Sequence, residues 1–204
     1  MTLLGETRPL PDPFFVLASQ NPIELEGTYP IPEAQLDRFL FKINVSSVDA
    51  DVLTQIIAHR RRGEPPDPEW TLSPEELGQV FAAMDRIYLS ESIANYIARI
   101  VAAGHPENPA AIPEVTKFVT YGPSPRAAIA LAESSRAAAL LDGRPAVGFE
   151  DVRSVAPAVL NHRLILNYQA KLDKITPAIL TERLLEKVDP AGISWPKGIS
   201  PDKD

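Results

Sequence analysis

The sequence contains no cysteine. That absence excludes disulfides, thiolate nucleophiles and Cys-ligated zinc, and it fits a reducing, cytoplasmic setting. No run of about 18 apolar residues occurs, so no membrane span is expected. The opening Met1-Thr2-Leu3-Leu4-Gly5-Glu6 lacks the basic stretch and long apolar core of a secretory signal. Basic charge is in deficit: 20 Lys and Arg against 27 Asp and Glu give a net charge of −7. A surface of that sign is not expected to spread over DNA or RNA phosphates. His59, His105 and His162 are scattered, with no His-x-x-x-His, so no metal site is expected. Proline, by contrast, is abundant at 21 residues and cuts the chain into many short elements. With 45% hydrophobic and 23% charged residues, the 204-residue chain reads as an ordinary globular protein of one domain or two small ones.

The front of the chain is β-prone. Thr2-Leu3-Leu4 followed by Gly5-Glu6 offers a hairpin over residues 1–12. Phe14-Phe15-Val16-Leu17-Ala18, bounded by Pro13 and Asn21-Pro22, predicts a strand buried on both faces, as in a parallel sheet. Phe41, Ile43 and Val45 alternate with Lys42 and Asn44, predicting a second strand with one wetter face. A Pro-, Gly- and acid-rich loop and a short helical stretch from Glu33 to Arg38 lie between them. Glu24, Glu26 and Glu33 read as a solvated acidic loop.

From Asp49 onward the pattern is helical. Val52, Leu53, Ile56 and Ile57 form a stripe opened by Asp49 and Asp51 and closed by Arg60-Arg61-Arg62-Gly63. Ser73-Pro74-Glu75-Glu76 is a capping box that opens a second helix. A third carries Ile93, Tyr96, Ile97 and Ile100. A fourth, rich in Ala over 127–139 as suits close packing, runs from Ser124-Pro125-Arg126 to about Leu141. A fifth has Phe149, Val152, Val155, Ala156 and Val159 at helical spacing, with a bend expected at Pro157. The sixth runs from Thr176-Pro177 to Val188, and a Pro- and Gly-rich tail follows. Two buried-type strands cannot cover their own faces or edges, so the front section reads as the end of a sheet whose other strands are missing.

The stretch from Pro13 through Ser19-Gln20-Asn21-Pro22, Gly27-Thr28-Tyr29-Pro30-Ile31-Pro32-Glu33-Ala34-Gln35 and Leu36-Asp37-Arg38-Phe39 to Phe41 resembles MoxR-type AAA+ ATPases. Tyr121-Gly122-Pro123-Ser124-Pro125-Arg126-Ala127 resembles the sensor-2 motif of their helical lid. Asp151-Val152-Arg153 and Val159-Leu160-Asn161-His162-Arg163-Leu164 resemble a later lid helix. The likeness covers roughly residues 1–188 and implies a mostly α chain: a helical AAA+ lid bundle preceded by the last strands of an α/β P-loop-type core. The division expected is 1–62 for the core remnant, 63–188 for the lid and 189–204 for a flexible tail. No Gly-x-x-x-x-Gly-Lys-[Ser/Thr] occurs, and no apolar strand ending in paired acids precedes Phe14. This chain alone therefore lacks the phosphate cradle and the Mg²⁺-placing groups, and tight binding of ATP or Mg²⁺ is not expected of it.

The resemblance assigns three residues. Asn21 becomes sensor-1, placing the attacking water, although Asn-Pro is by itself a good turn. Arg38 becomes the arginine finger for a neighbouring subunit's ATP, although it also reads as an exposed Arg paired loosely with Asp37 or Glu33. Arg126 becomes sensor-2: a cation at the positive end of a helix is unfavourable unless an anion such as bound ATP offsets it, although Arg126 also reads as a side chain that snorkels to solvent or pairs with a lid carboxylate. The intact protein would then form a ring, a hexamer by resemblance. It would use ATP to remodel client proteins or load cofactors into them, some clients carrying von Willebrand factor A domains. The rival reading is a non-enzymatic regulatory or scaffold fragment that docks to clients or intact subunits. A DNA-directed relative of the MCM helicase sort is disfavoured by a pI near 5.1.

Overall fold

The computed structural model describes residues 2–3, 5–10, 13–20, 31–45, 47–59 and 67–192. Its contacts divide into two compact units, Met1–Pro30 with Asn44–Ala82, and Ile31–Ile43 with Ala83–Asp204. The chain is mostly α. The helices among the described residues are α1 (Glu33–Leu36), α2 (Ala50–His59), α3 (Pro74–Met84), α4 (Glu91–Ala103), α5 (Pro113–Phe118), α6 (Pro125–Leu141), α7 (Phe149–Leu160), α8 (Tyr168–Leu172) and α9 (Pro177–Lys187).

In the first unit, β1 (Thr2–Leu3) and β2 (Glu6–Thr7) pair antiparallel as the expected hairpin, with Thr2 opposite Thr7 and Leu3 opposite Glu6. Gly5 turns the chain at φ 86°, a conformation that costs a residue without Cβ little. The start of α2 is held by Asp49, whose Oδ1 accepts from the Val52 amide at 2.9 Å. The Ser73/Glu76 capping box opens α3, with reciprocal bonds of 3.2 and 2.8 Å. The apolar stripe Val52, Leu53, Ile56 and Ile57 is exposed. The Arg60-Arg61-Arg62 feature lies outside the described residues.

The strand expected at Phe14–Ala18 does not form. These residues have no ladder partner among the described residues, and Leu17 is 97% exposed rather than buried. An apolar run becomes a strand only when neighbours satisfy its N–H and C=O groups. The second expected strand, Phe39–Val45, is likewise absent among the described residues. Its first half has other partners instead: the Lys42 amide donates to the Ala158 carbonyl at 2.9 Å, at the end of α7. Bonds of this kind group residues 31–43 with the helical unit.

That unit has one core. From α4, Ile93, Tyr96, Ile97, Ile100 and Ala103 are buried along one face, as the spacing predicts. The small side chains Ala127, Ala130, Ser134, Ser135 and Ala139 of α6 are buried as well, and α6 packs against α7, with α7 against α9. The Tyr96 and Phe149 rings meet edge to face at 5.4 Å. Side-chain caps begin α4 (Ser90), α6 (Ser124), α8 (Asn167) and α9 (Thr176). Helix α7 continues through Pro157. Four elements have no counterpart in the expectations from sequence: the short α5 and α8, and the antiparallel pair of β3 (Val119–Tyr121) with β4 (Ile165–Leu166), in which Val119 faces Leu166.

Candidate functional site

Three pieces of the helical unit converge on one carboxylate. The first is α1, a single turn that starts behind Pro32, whose carbonyl accepts from the Gln35 and Leu36 amides at 2.8 and 3.0 Å. The turn tightens at its end, the Asp37 amide bonding to Glu33 O and the Phe39 amide to Leu36 O, both at 3.0 Å. This leaves Leu36, Asp37 and Phe39 half-buried and Arg38 between them exposed. The Arg38 guanidinium has no hydrogen-bond or ion-pair partner among the described residues.

The second piece is the N-terminus of α6. Tyr121-Gly122-Pro123 leads into it, and Gly122 is there for space: a Cβ would lie 2.6 Å from both Gly104 O and His105 Cα. Ser124 Oγ accepts from the Arg126 amide at 3.2 Å and donates to the Asp37 carboxylate, 2.9 and 3.0 Å from its two oxygens. Arg126 Nη1 donates to Asp37 Oδ2 at 2.8 Å. The anion that a cation at this helix end calls for is thus the Asp37 carboxylate, which also suits the positive end of the dipole.

The third piece is the C-terminal end of α7. Arg163, whose side chain is 2% exposed, spends all its donors there. Nε donates to Asp37 Oδ1 at 3.2 Å, Nη2 to the Asp37 and Phe39 carbonyls at 3.0 and 2.6 Å, and Nη1 to the Leu40 carbonyl at 3.2 Å and to Val159 O. A buried guanidinium with every N–H matched and a carboxylate alongside avoids most of the cost of burying charge. His162 adds Nε2 at 3.1 Å from Phe39 O, while its Nδ1 is buried with no partner. Asn161 faces the other way and accepts from Thr181 Oγ1 of α9 at 3.0 Å.

The charges follow this geometry. Burial alone pushes the Asp37 carboxyl up, but hydrogen bonds from Arg126 and Ser124 and the charges of Arg163 and Arg126 outweigh it and hold the carboxyl below its usual value. Burial outweighs the neighbouring Asp37 carboxylate and leaves the Arg163 guanidinium below its usual value. The two partners shift in ways that differ in what they favour, and the dense bonding of Arg163 argues for a charged pair at neutral pH. Burial, and then the Arg163 charge, lower His162 below 6.5, so its imidazole is neutral and Nε2 carries the proton toward the carbonyl. A cavity of about 240 Å³ opens at this corner, lined among others by Glu33, Asp37, Tyr121, Ser124, His162 and Arg163.

Of the residues singled out from sequence, Arg126 bonds to Asp37 and Arg38 follows Asp37 in the chain, both in one unit. Asn21, Glu24 and Glu26 lie outside the described residues. Asp37, Ser124 and Arg163 were missed as site residues, although each lies inside a motif stretch. Among the described residues, no group of three or more His, Asp or Glu is arranged to hold a metal ion, and no helix is long and apolar enough to cross a membrane.

Known proteins resemble the chain along most of its length. Residues 114–184 match the AAA lid domain, and residues 1–41 match the ATPase family associated with various cellular activities (AAA). The chain is 40% identical over 184 residues to the Mycobacterium tuberculosis protein named chaperone MoxR1, a match that covers 90% of this chain and 48% of that one. It is 28% identical over 184 residues to protein MoxR of Paracoccus denitrificans, covering 81% of this chain and 52% of that one. A crystal structure of a candidate ATPase from Cytophaga hutchinsonii superposes with a TM-score of 0.77 at 33% identity, over 92% of this chain and 58% of the other. The chain spans about half the length of the curated relatives it matches.

Proposed function

Since this chain belongs to the MoxR-type AAA+ ATPases and corresponds to their C-terminal portion, we propose that it supplies the nucleotide-responding residues of a ring-forming ATPase. Arg38 is the arginine finger, Arg126 is sensor-2 and Asn21 is sensor-1. The ring is a hexamer that uses ATP to remodel client proteins or load their cofactors, clients with von Willebrand factor A domains among them. The observation that carries this reading is Arg38: an exposed guanidinium, without a partner among the described residues, on a turn whose neighbours on both sides are anchored. An idle surface Arg needs no such anchoring. A residue that must reach a phosphoryl group across a subunit boundary does, because the planar fork has to arrive in one orientation.

The residues present fit one part of the nucleotide and not another. Bound ATP would supply the anionic charge that Arg38 and Arg126 are suited to meet. Mg²⁺ has no matching ligand set among the described residues, and the 204 residues contain no P-loop motif.

The test uses the ATPase completed with an upstream P-loop core. Arg38→Ala should leave ATP binding nearly unchanged and lower turnover by about 10²-fold or more, because a finger acts on the transition state. Arg38→Lys should rescue only partly. Mixing Arg38→Ala subunits with subunits lacking the P-loop Lys should restore part of the activity, since some interfaces then join an intact finger to an intact cradle. Mixed rings confirmed by mass with no recovered activity would overturn the trans assignment.

A further inference from the structure

The anchoring of Arg38 runs through its neighbour. The Asp37 carboxylate is bonded to Ser124 and Arg126 of α6 and to Arg163 beyond α7, and the Asp37 carbonyl is bonded to Arg163 as well. Downstream, the carbonyls of Phe39 and Leu40 and the amide of Lys42 are all taken by residues 158–163. The segment that carries Arg38 is therefore riveted to the helical unit, and the rivet at its near end is the same carboxylate that holds Arg126. Its placement next to Arg38, with Arg126 as a second partner, ties the Arg126 guanidinium and the backbone of Arg38 to a common point.

We propose that Asp37 is a positioning residue that fixes Arg38 and Arg126 relative to each other, so that the finger segment and the start of α6 move as one body. This rests on the reading of Arg38 and Arg126 as nucleotide-responding residues. On that reading Asp37 touches no phosphate. It sets where the two cations stand, and the lid cannot shift α6 without carrying Arg38 along.

Two measurements test it. Hydrogen exchange on the 204-residue chain reads the joint itself. Asp37→Ala should speed exchange of the Phe39 to Lys42 amides while the core of α4, α6 and α7 stays protected, and Asp37→Glu should keep most of the protection. Unchanged exchange at Phe39 to Lys42 in Asp37→Ala would overturn the proposal. Turnover of the completed ATPase reads the consequence. Asp37→Ala should lower kcat on the order of 10²-fold, the loss expected from a misplaced catalytic group, with KM for ATP little changed. A purely structural role would instead scale activity with the fraction of assembled rings. Adding Arg126→Ala to Asp37→Ala should cost less than the product of the two single losses, because both break the same link. Wild-type kcat in Asp37→Ala, beside an inactive Arg38→Ala, would overturn the role of Asp37 alone. Full activity of Arg38→Ala would overturn the finger reading and this role with it.

Discussion

Arg163 Nε meets Asp37 Oδ1 at 3.2 Å across 126 positions of sequence. The ion pair closes the helical unit: it joins the turn that ends α1 to the end of α7, and every other donor of the same guanidinium satisfies a carbonyl or the carboxylate's own residue.

Removing that guanidinium should be expensive. Breaking a buried pair from one side costs about 3–5 kcal/mol, because the partner is left buried and unmatched. Arg163→Ala should fall at about 3 kcal/mol, since Ser124 and Arg126 still hold Asp37. Arg126→Ala, with a side chain 56% exposed, should cost no more than about 1 kcal/mol. Denaturant midpoints of the two variants check the ordering, and equal losses would contradict the burial argument.

Acid should weaken the helical unit in two ranges. Burial, followed by the Arg163 charge, lowers His162 below 6.5. The unfolded chain then takes up this proton first, and stability begins to fall as the pH drops through 6.5. Asp37 and Asp151 are both held below 3.8, Asp151 chiefly by its hydrogen bonds from Arg144. Their contribution is complete above the unfolded value and is lost as the pH falls through the lower native values. Denaturation followed from about pH 8 to about pH 3 should show both declines. His162→Gln should remove the upper one and Asp151→Asn should reduce the lower one. A stability flat between about pH 7 and pH 5 in the unaltered chain would exclude the first.

Three glycines should respond to alanine with different signs. At Gly122 the new Cβ meets main-chain atoms at 2.6 Å, so backbone must move, at a cost of about 1–3 kcal/mol. Gly143 has open space but φ +68°, and Ala there should cost roughly 1–2 kcal/mol of left-handed strain. Gly78 lies inside α3 with nothing within 4 Å, and Ala should stabilise that helix by about 0.5–1 kcal/mol. Thermal melts of the three variants give the comparison; a destabilising Gly78→Ala would mean that the α3 surface is covered.

The 204-residue chain by itself should bind MgATP no more tightly than about millimolar, roughly −4 kcal/mol, because isolated arginines do not replace a backbone cradle. Isothermal titration measures this directly. Micromolar binding with turnover would show that the chain holds a nucleotide site of another kind.

The helices were legible where local chemistry announces itself. Ser124-Pro125 and Thr176-Pro177 mark the starts of α6 and α9, and the spacing of Ile93, Tyr96, Ile97 and Ile100 gives the buried face of α4. What sequence could not reveal was non-local. The pairing of β3 with β4 joins Val119 to Leu166, and nothing in either tri- or dipeptide names the other. The apolar run at Phe14–Ala18 misled because hydrophobicity suggests burial, whereas strand formation also needs hydrogen-bonding neighbours. Arg126 stood out as a cation at the wrong end of a helix. Asp37 did not, because its partners lie 87, 89 and 126 positions away.

Those separations also set an order of events. Closing a loop of this size costs entropy that only the finished bundle can offset, so the 37–42 segment docks after α7 exists and not before. A ribosome adding about 5–20 residues per second needs on the order of ten seconds to pass from Asp37 to Arg163. Throughout that interval the segment bearing Arg38, with the apolar Phe14–Leu17 stretch ahead of it, has no Arg163 to receive it. The last contact to form is then also the first to open on unfolding, so substitutions at this joint should act mainly on the unfolding rate and leave the refolding rate of the bundle close to its original value.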